Sequence, residues 1–222
     1  MAPDKLTGLQ KRTLRILAAL RPPATLTGGG ALAGIYLGHR TTRDLDLFWR
    51  PRPDLGTSAV DAEALLRRDG LDVRTLRTSP TFPELRVSDG AEVCIVDLVA
   101  EPFAALEPPQ QTAIGPGVAI AVDSMHEILV AKLTALLGRR ELRDLVDVRA
   151  LLDAGLDLDA ALRDAPSKDG GFSPLTLAWV LESFDPRPLA LALGWNEEQA
   201  AGLDRFRREL VQRLIQSGRP PR

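Results

Sequence analysis

The chain is poor in cysteine, in aromatic residues, in lysine and in net charge, and each shortage excludes something. One cysteine, Cys94, excludes an intramolecular disulfide and fits a reducing cytoplasm. Aromatic residues are 5% of the 222, against 45% hydrophobic, so any core must be packed by aliphatic side chains. A formal net charge of −2 excludes broad electrostatic attraction of nucleic acid by the chain as a whole and leaves room only for local patches. No apolar run reaches the roughly 18 residues that span a bilayer, and the stretch MAPDKLTGLQKR lacks the apolar core of a secretion signal. The expectation is a soluble cytoplasmic protein with no membrane partner. Lysine is scarcest among the charged residues: Lys5, Lys11, Lys132 and Lys168 are the only four of 28 basic residues.

Hydrophobic periodicity changes along the chain. Residues 6–20 read as an amphipathic helix stopped by the prolines of RPPA, followed by a short strand at 24–26, a glycine turn at 28–30 and a short helix at 31–37. Alternation predicts strands at 44–49, 71–77, 84–87 and 92–99, with a helix at 61–68 and a hairpin turn in the sequence SDG. A proline-rich loop and a strand at 118–122 follow. Helical patterns then dominate, at 124–137, 141–154, 158–163, 174–184 and 196–216. The expected architecture is α+β: a small mixed sheet flanked by helices over residues 1–123, then a helical lobe over residues 124–222. Cys94, in the apolar run VCIVDL, is expected to be a buried and inert thiol.

The stretch LTGGGALAGIYLGHRTTRDLDLFWR holds the first chemistry. Three glycines between a strand and a helix let backbone approach a ligand closely, and the N–H groups opening the helix favour phosphate. No Gly-Lys-Ser/Thr follows, so the Walker pattern is absent. Asp44 and Asp46 lie two apart on a strand and leave the same face, while Leu45 and Leu47 take the other. Two carboxylates that close repel unless a cation lies between them, and Mg²⁺ binds through one or two carboxylates plus substrate phosphates. Asp97 interrupts a second apolar strand, on one face with Val93 and Ile95. If the two strands are neighbours, three acids converge, as two-metal displacement at phosphorus requires. A solvated strand edge and a strand-end cap are the alternatives.

Glycine turn, short helix, Asp-x-Asp strand and a later lone Asp together resemble the DNA polymerase β-like nucleotidyltransferase superfamily, and more narrowly the AbiEii/AbiGii toxin family. Gly28, Gly29, Ala31, Leu32, Arg40, Asp44 and Asp46 match that family's pattern. Thr42 replaces its usual Ser and keeps the hydroxyl; Gly30 stands where Thr or Ser is usual. The stretch SMHEILVAKLTALLGRRELRDLVDV resembles the family's second block, with Lys132, Arg139 or Arg140, Arg143, Asp144 and Asp147 in place and Val130 departing from a frequent Glu. From the residues alone, Lys132 is either a stem snorkelling from the edge of an apolar stripe or an ammonium meeting triphosphate. Arg140–Asp144 and Arg143–Asp147 are equally readable as exposed helix pairs.

The resemblance implies an enzyme moving a nucleoside monophosphate from a nucleoside triphosphate to an acceptor hydroxyl. Asp44, Asp46 and Asp97 would hold Mg²⁺ or Mn²⁺ and form the catalytic set. Gly28, Gly29, Gly30, Arg40, Thr42, Lys132, Arg143, Asp144 and Asp147 would serve the nucleotide. It further implies a toxin paired with an antitoxin, with tRNA 3′ ends as one acceptor. A small-molecule nucleotidyltransferase of the antibiotic-modifying type and a non-catalytic binding module on the same fold remain alternatives. The basic tail RFRRELVQRLIQSGRPPR reads as a solvated helix face or an aid to RNA binding.

Overall fold

A computed structural model describes residues 5–218. The first four residues of the N-terminal stretch and the last four of the basic tail lie outside the described residues. The chain divides into two compact units, one ending at Glu127 and the other beginning at Ile128.

The first unit is built on a mixed seven-stranded sheet. Its strands are β1 (Thr25–Thr27), β2 (Asp44–Trp49), β3 (Asp72–Arg77), β4 (Glu84–Ser88), β5 (Val93–Ala100), β6 (Gln110–Gly115) and β7 (Val118–Val122), in the order β3-β4-β5-β2-β1-β7-β6. β2 runs parallel to β5 and antiparallel to β1, and β1 runs parallel to β7. Strict alternation makes the sheet two-faced. Leu45, Leu47 and Trp49 of β2, and Cys94, Val96, Leu98 and Ala100 of β5, are buried on one face. The residues between them stand on the other. Helix α1 (Gly8–Leu17) covers the buried face, where Thr13 Oγ1 lies 3.8 Å from Cys94 Sγ. α1 starts at Thr7 because Thr7 Oγ1 accepts from Gln10 N–H and Gln10 Oε1 accepts from Thr7 N–H, a reciprocal cap. Helix α3 (Ser58–Arg68) runs between β2 and β3.

Three readings of the sequence change here. The glycines are not a turn ahead of a helix; they are its first turn, α2 (Gly28–Ala31), which continues as a π-helical turn at Leu32–Tyr36. The proline-rich loop before residue 118 contains β6, a hairpin partner of β7 whose polar sequence hides it. Within the second unit the segment Arg187–Ala192 is a helix, α8, because its prolines stand at the N-cap (Pro186) and in the first turn (Pro188), where the missing N–H would have no helical partner.

The second unit is helical. It comprises most of α4 (Met125–Gly138), then α5 (Leu142–Asp153), α6 (Leu158–Asp164), α7 (Pro174–Glu182), α8 and α9 (Glu197–Ser217). Ser173 caps α7 by accepting from Thr176 N–H, and Asn196 caps α9 with Gln199. Among the described residues no helix is long and apolar enough to cross a membrane.

Candidate active site

The two Asp-bearing strands are neighbours, and their register places Asp46 opposite Asp97. In a parallel pair opposed residues share a face, so both carboxylates leave the sheet together, with strands about 4.8 Å apart. Asp44, two residues earlier, stands on the same face beside Ile95. The geometry brings the three acids to one surface.

The row is longer than the sequence suggested. β4 pairs with β5 so that Glu84 lies opposite Asp97, and β3 pairs with β4 so that Arg77 lies opposite Glu84. On the other side Thr27 of β1 opposes Asp46. The sheet therefore presents Arg77, Glu84, Asp97, Asp46 and Thr27 in one line across five strands. Glu84 and Arg77 were missed, although the SDG turn carried the signal: counting back from it brings Glu84 opposite Asp97.

Three like charges on one face show in the chemistry of Asp97. Burial pushes its pKa up, Asp46, Glu84 and Asp44 push it further, and Arg77 pulls it back, so that it stands at about 7. Its Oδ1 is buried and has no hydrogen-bond partner within the protein. A buried carboxylate oxygen left unbonded is costly and suits a cation or a proton. Among the described residues no group of three His, Cys, Asp or Glu side chains is arranged to hold a metal ion.

The glycine helix abuts the acids. Gly28 has φ +58°, a left-handed conformation, and a Cβ built there would overlap the Asp46 carboxylate. A Cβ at Gly29 would lie 2.8 Å from Arg40 Nη2 and 3.0 Å from Thr42 Oγ1. Gly28, Gly29, Arg40, Thr42 and Asp46 are thus one packed cluster. Gly30 differs: its missing Cβ would point at Leu26 and Leu45 at 3.2 and 3.3 Å, into the core. A hydroxyl-bearing side chain here would displace those leucines, so the departure from the family pattern is matched by close apolar packing. Thr42 Oγ1 lies 3.3–3.4 Å from the backbone of Asp44, fixing the entry into β2.

The far ends of β2 and β5 are tied by a second network the sequence did not show. Arg50 follows β2 and pairs with Glu101, which follows β5, and with Asp123 at 2.7 Å. Its guanidinium lies 4.5 Å from the centre of the Phe48 ring. Tyr36 of the π-helical turn donates to the Asp123 carbonyl at 2.9 Å, anchoring that turn to the same network.

In the helical unit, Lys132 is 7% exposed, and Asp144 and Asp147 are 0% exposed. Lys132 Nζ donates to Asp144 Oδ1 at 2.7 Å and pairs with Asp147 Oδ2 at 2.9 Å. Burial opposes its charge, but Asp147 and Asp144 outweigh burial and raise its pKa. The snorkelling reading is corrected: Ile128, Leu129, Val130, Leu133 and Leu136 are all fully buried, so α4 offers no solvent edge at this position. The expected Arg140–Asp144 pair is also corrected. Arg139 reaches Asp144 at 2.9 Å, and Arg140 lies 3.4 Å from Ser183 Oγ. Arg143 is partly exposed and lies 2.6 Å from Glu141.

Comparison with known proteins gives the following. Residues 12–210 match the family described as nucleotidyl transferase AbiEii toxin, type IV toxin–antitoxin system. Among solved structures, the chain is similar to MenT4, a nucleotidyltransferase toxin of Mycobacterium tuberculosis H37Rv. That match has 16% identity and a TM-score of 0.61, covering 93% of this chain and 81% of that one. It is also similar to a candidate nucleotidyltransferase of H. pylori, at 18% identity and a TM-score of 0.53, covering 96% of each chain. At these identities the likeness is one of fold. No curated protein matches the sequence.

Proposed function

The chain belongs to the AbiEii family of nucleotidyl transferase toxins, and from that premise we propose that it moves a nucleoside monophosphate from a nucleoside triphosphate to the 3′ hydroxyl of an RNA, tRNA foremost, as the toxin partner of an antitoxin. The observation that carries this reading is the register of Asp46 with Asp97, with Asp44 on the same face and Gly28 packed against Asp46.

Each residue has a part. Asp44, Asp46 and Asp97 would hold Mg²⁺ or Mn²⁺, which would supply charge neutralisation at the phosphoryl oxygens. The backbone of Gly28–Gly30 lies against the triphosphate, with Arg40 and Thr42 behind it as cation and hydroxyl donor. The acceptor oxygen forms a bond to the α-phosphorus. The bond from that phosphorus to the bridging oxygen breaks, and pyrophosphate leaves with the electron pair. The acceptor proton passes to the Asp97 carboxylate, the acid of the three nearest the β4 side of the sheet. In the helical unit Lys132, Asp144 and Asp147 hold α4 to α5.

The test is incubation of the full chain with each labelled nucleoside triphosphate and bulk tRNA, with Mg²⁺, with Mn²⁺ and with chelator. Label entering RNA with a divalent ion, and none with chelator or with Asp46→Asn, is the expected result. Undiminished transfer by a folded Asp46→Asn protein removes the acids from the mechanism.

A further inference from the structure

The line of side chains across the sheet has two unlike ends. At the β1 end lie Thr27 and the glycine helix, where the reading above puts the leaving pyrophosphate. At the β3–β4 end lie Arg77, Glu84 and Phe82. Displacement at phosphorus is in line: the attacking oxygen enters opposite the leaving group. With pyrophosphate on the β1 side of Asp46 and Asp97, the acceptor has to come from the β4–β3 side. That side is within reach: Arg77 lies two strand spacings from Asp97, about 10 Å.

What stands there has a definite chemistry. The Arg77 guanidinium lies 4.6 Å from the centre of the Phe82 ring and 4.0 Å from Glu84 Oε2. Its side chain remains 52% exposed, so its donors face solvent. Phe82 is half-buried and shares the face of Glu84, two residues on. Arg86 follows on the same face, half-exposed and 3.7 Å from Asp72. A flat cation against an aromatic ring, with a second arginine beside it, suits a phosphodiester and an unstacked base. Single-stranded nucleic acid is gripped in this way. A small polycationic acceptor finds two arginines in its path.

We infer that Arg77 and Phe82 form the acceptor-side contact of the enzyme, Arg77 taking a backbone phosphate and Phe82 a base at the 3′ end of a single-stranded nucleic acid. Glu84 orients Arg77 from the side nearer Asp97 and keeps the guanidinium off the acids. This rests on the proposed transfer reaction for its direction, while the surface itself is testable without any chemistry.

The experiment uses the full chain, a fluorescent single-stranded oligoribonucleotide with a free 3′ hydroxyl, and anisotropy in the absence of divalent metal across a range of salt. Arg77→Ala should weaken binding about tenfold and reduce the slope of log affinity against log salt by about 0.7, the share of one phosphate contact on a single strand. Phe82→Leu should weaken binding about tenfold with the slope unchanged, since stacking releases no counterion. Arg77→Lys should keep the slope and lose part of the affinity, because the flat stacking surface is gone. Nucleoside triphosphate affinity should be unaltered in all three. Equal oligonucleotide binding by wild type and both truncations overturns the inference. Failure of the reaction reads differently. If wild type labels no RNA but the binding losses appear, the surface stands and the transfer reading falls. If the double variant Arg77→Ala, Phe82→Leu labels RNA with an unchanged acceptor KM, the surface falls and transfer stands.

Discussion

Gly28 and Asp46 occupy one space between them: the Cβ that position 28 lacks would overlap the Asp46 carboxylate. Gly28→Ala therefore carries two penalties. The left-handed φ of +58° disfavours any Cβ, by about 1–2 kcal/mol. The displaced carboxylate also loses its alignment with Asp97. The variant should fold with reduced stability in urea and lose most nucleotidyl transfer. Stability loss with full activity would show that Asp46 tolerates displacement.

The stability of the metal-free protein should depend on pH through Asp97. Its folded-state pKa of about 7 lies above the roughly 4 of an exposed aspartate. Between those values the folded protein keeps a proton that the unfolded chain has released, so stability falls as pH rises through this window and levels off above it. Asp97→Asn removes the titration. The variant should melt higher than wild type above pH 7, and the gap should close toward pH 4. Melts at intervals from pH 4 to 8 decide this, and a gap independent of pH would assign the effect to something other than charge.

Lys132→Met should be severely destabilising. It leaves Asp144 and Asp147, both without solvent exposure, short of their shared cation, and breaking a buried pair by removing one partner costs about 3–5 kcal/mol. Adding Asp144→Asn to the same chain should recover part of that loss. Urea unfolding of both variants measures it; a loss under 1 kcal/mol for Lys132→Met would mean that solvent reaches the acids.

Cys94 should resist alkylation in the native protein. Burial pushes its thiol up to about 11, against the usual value near 9. Iodoacetamide at pH 8 should modify it only after denaturation, and mass spectrometry of the native, treated protein reads the result.

Much of this was written in the order of residues. Strands β2 and β5 alternate so regularly that their faces, and the shared surface of Asp44, Asp46 and Asp97, follow from parity once the strands are adjacent. What parity cannot supply is which strand pairs with which beyond a hairpin, so Arg50, Glu101 and Asp123 read as unrelated charges near strand ends. Lys132 shows the converse. An interrupted apolar stripe looks like a surface lysine until a second helix brings two acids to it, and that placement depends on tertiary packing. β6 was hidden by its polar sequence between prolines, and α8 because proline marks both breaks and beginnings, which local sequence does not distinguish.

The acids stand inside strands rather than on loops, and that limits how the gene can change in length. A strand shifted by one residue turns every side chain to the opposite face. One codon gained or lost inside β2 would send Asp44 and Asp46 into the core and bring Leu45 and Leu47 to the surface, ending both fold and reaction. The linker between β2 and α3 carries no such count. Insertions and deletions in homologues should gather in that linker and stay out of β2, Asp44–Trp49.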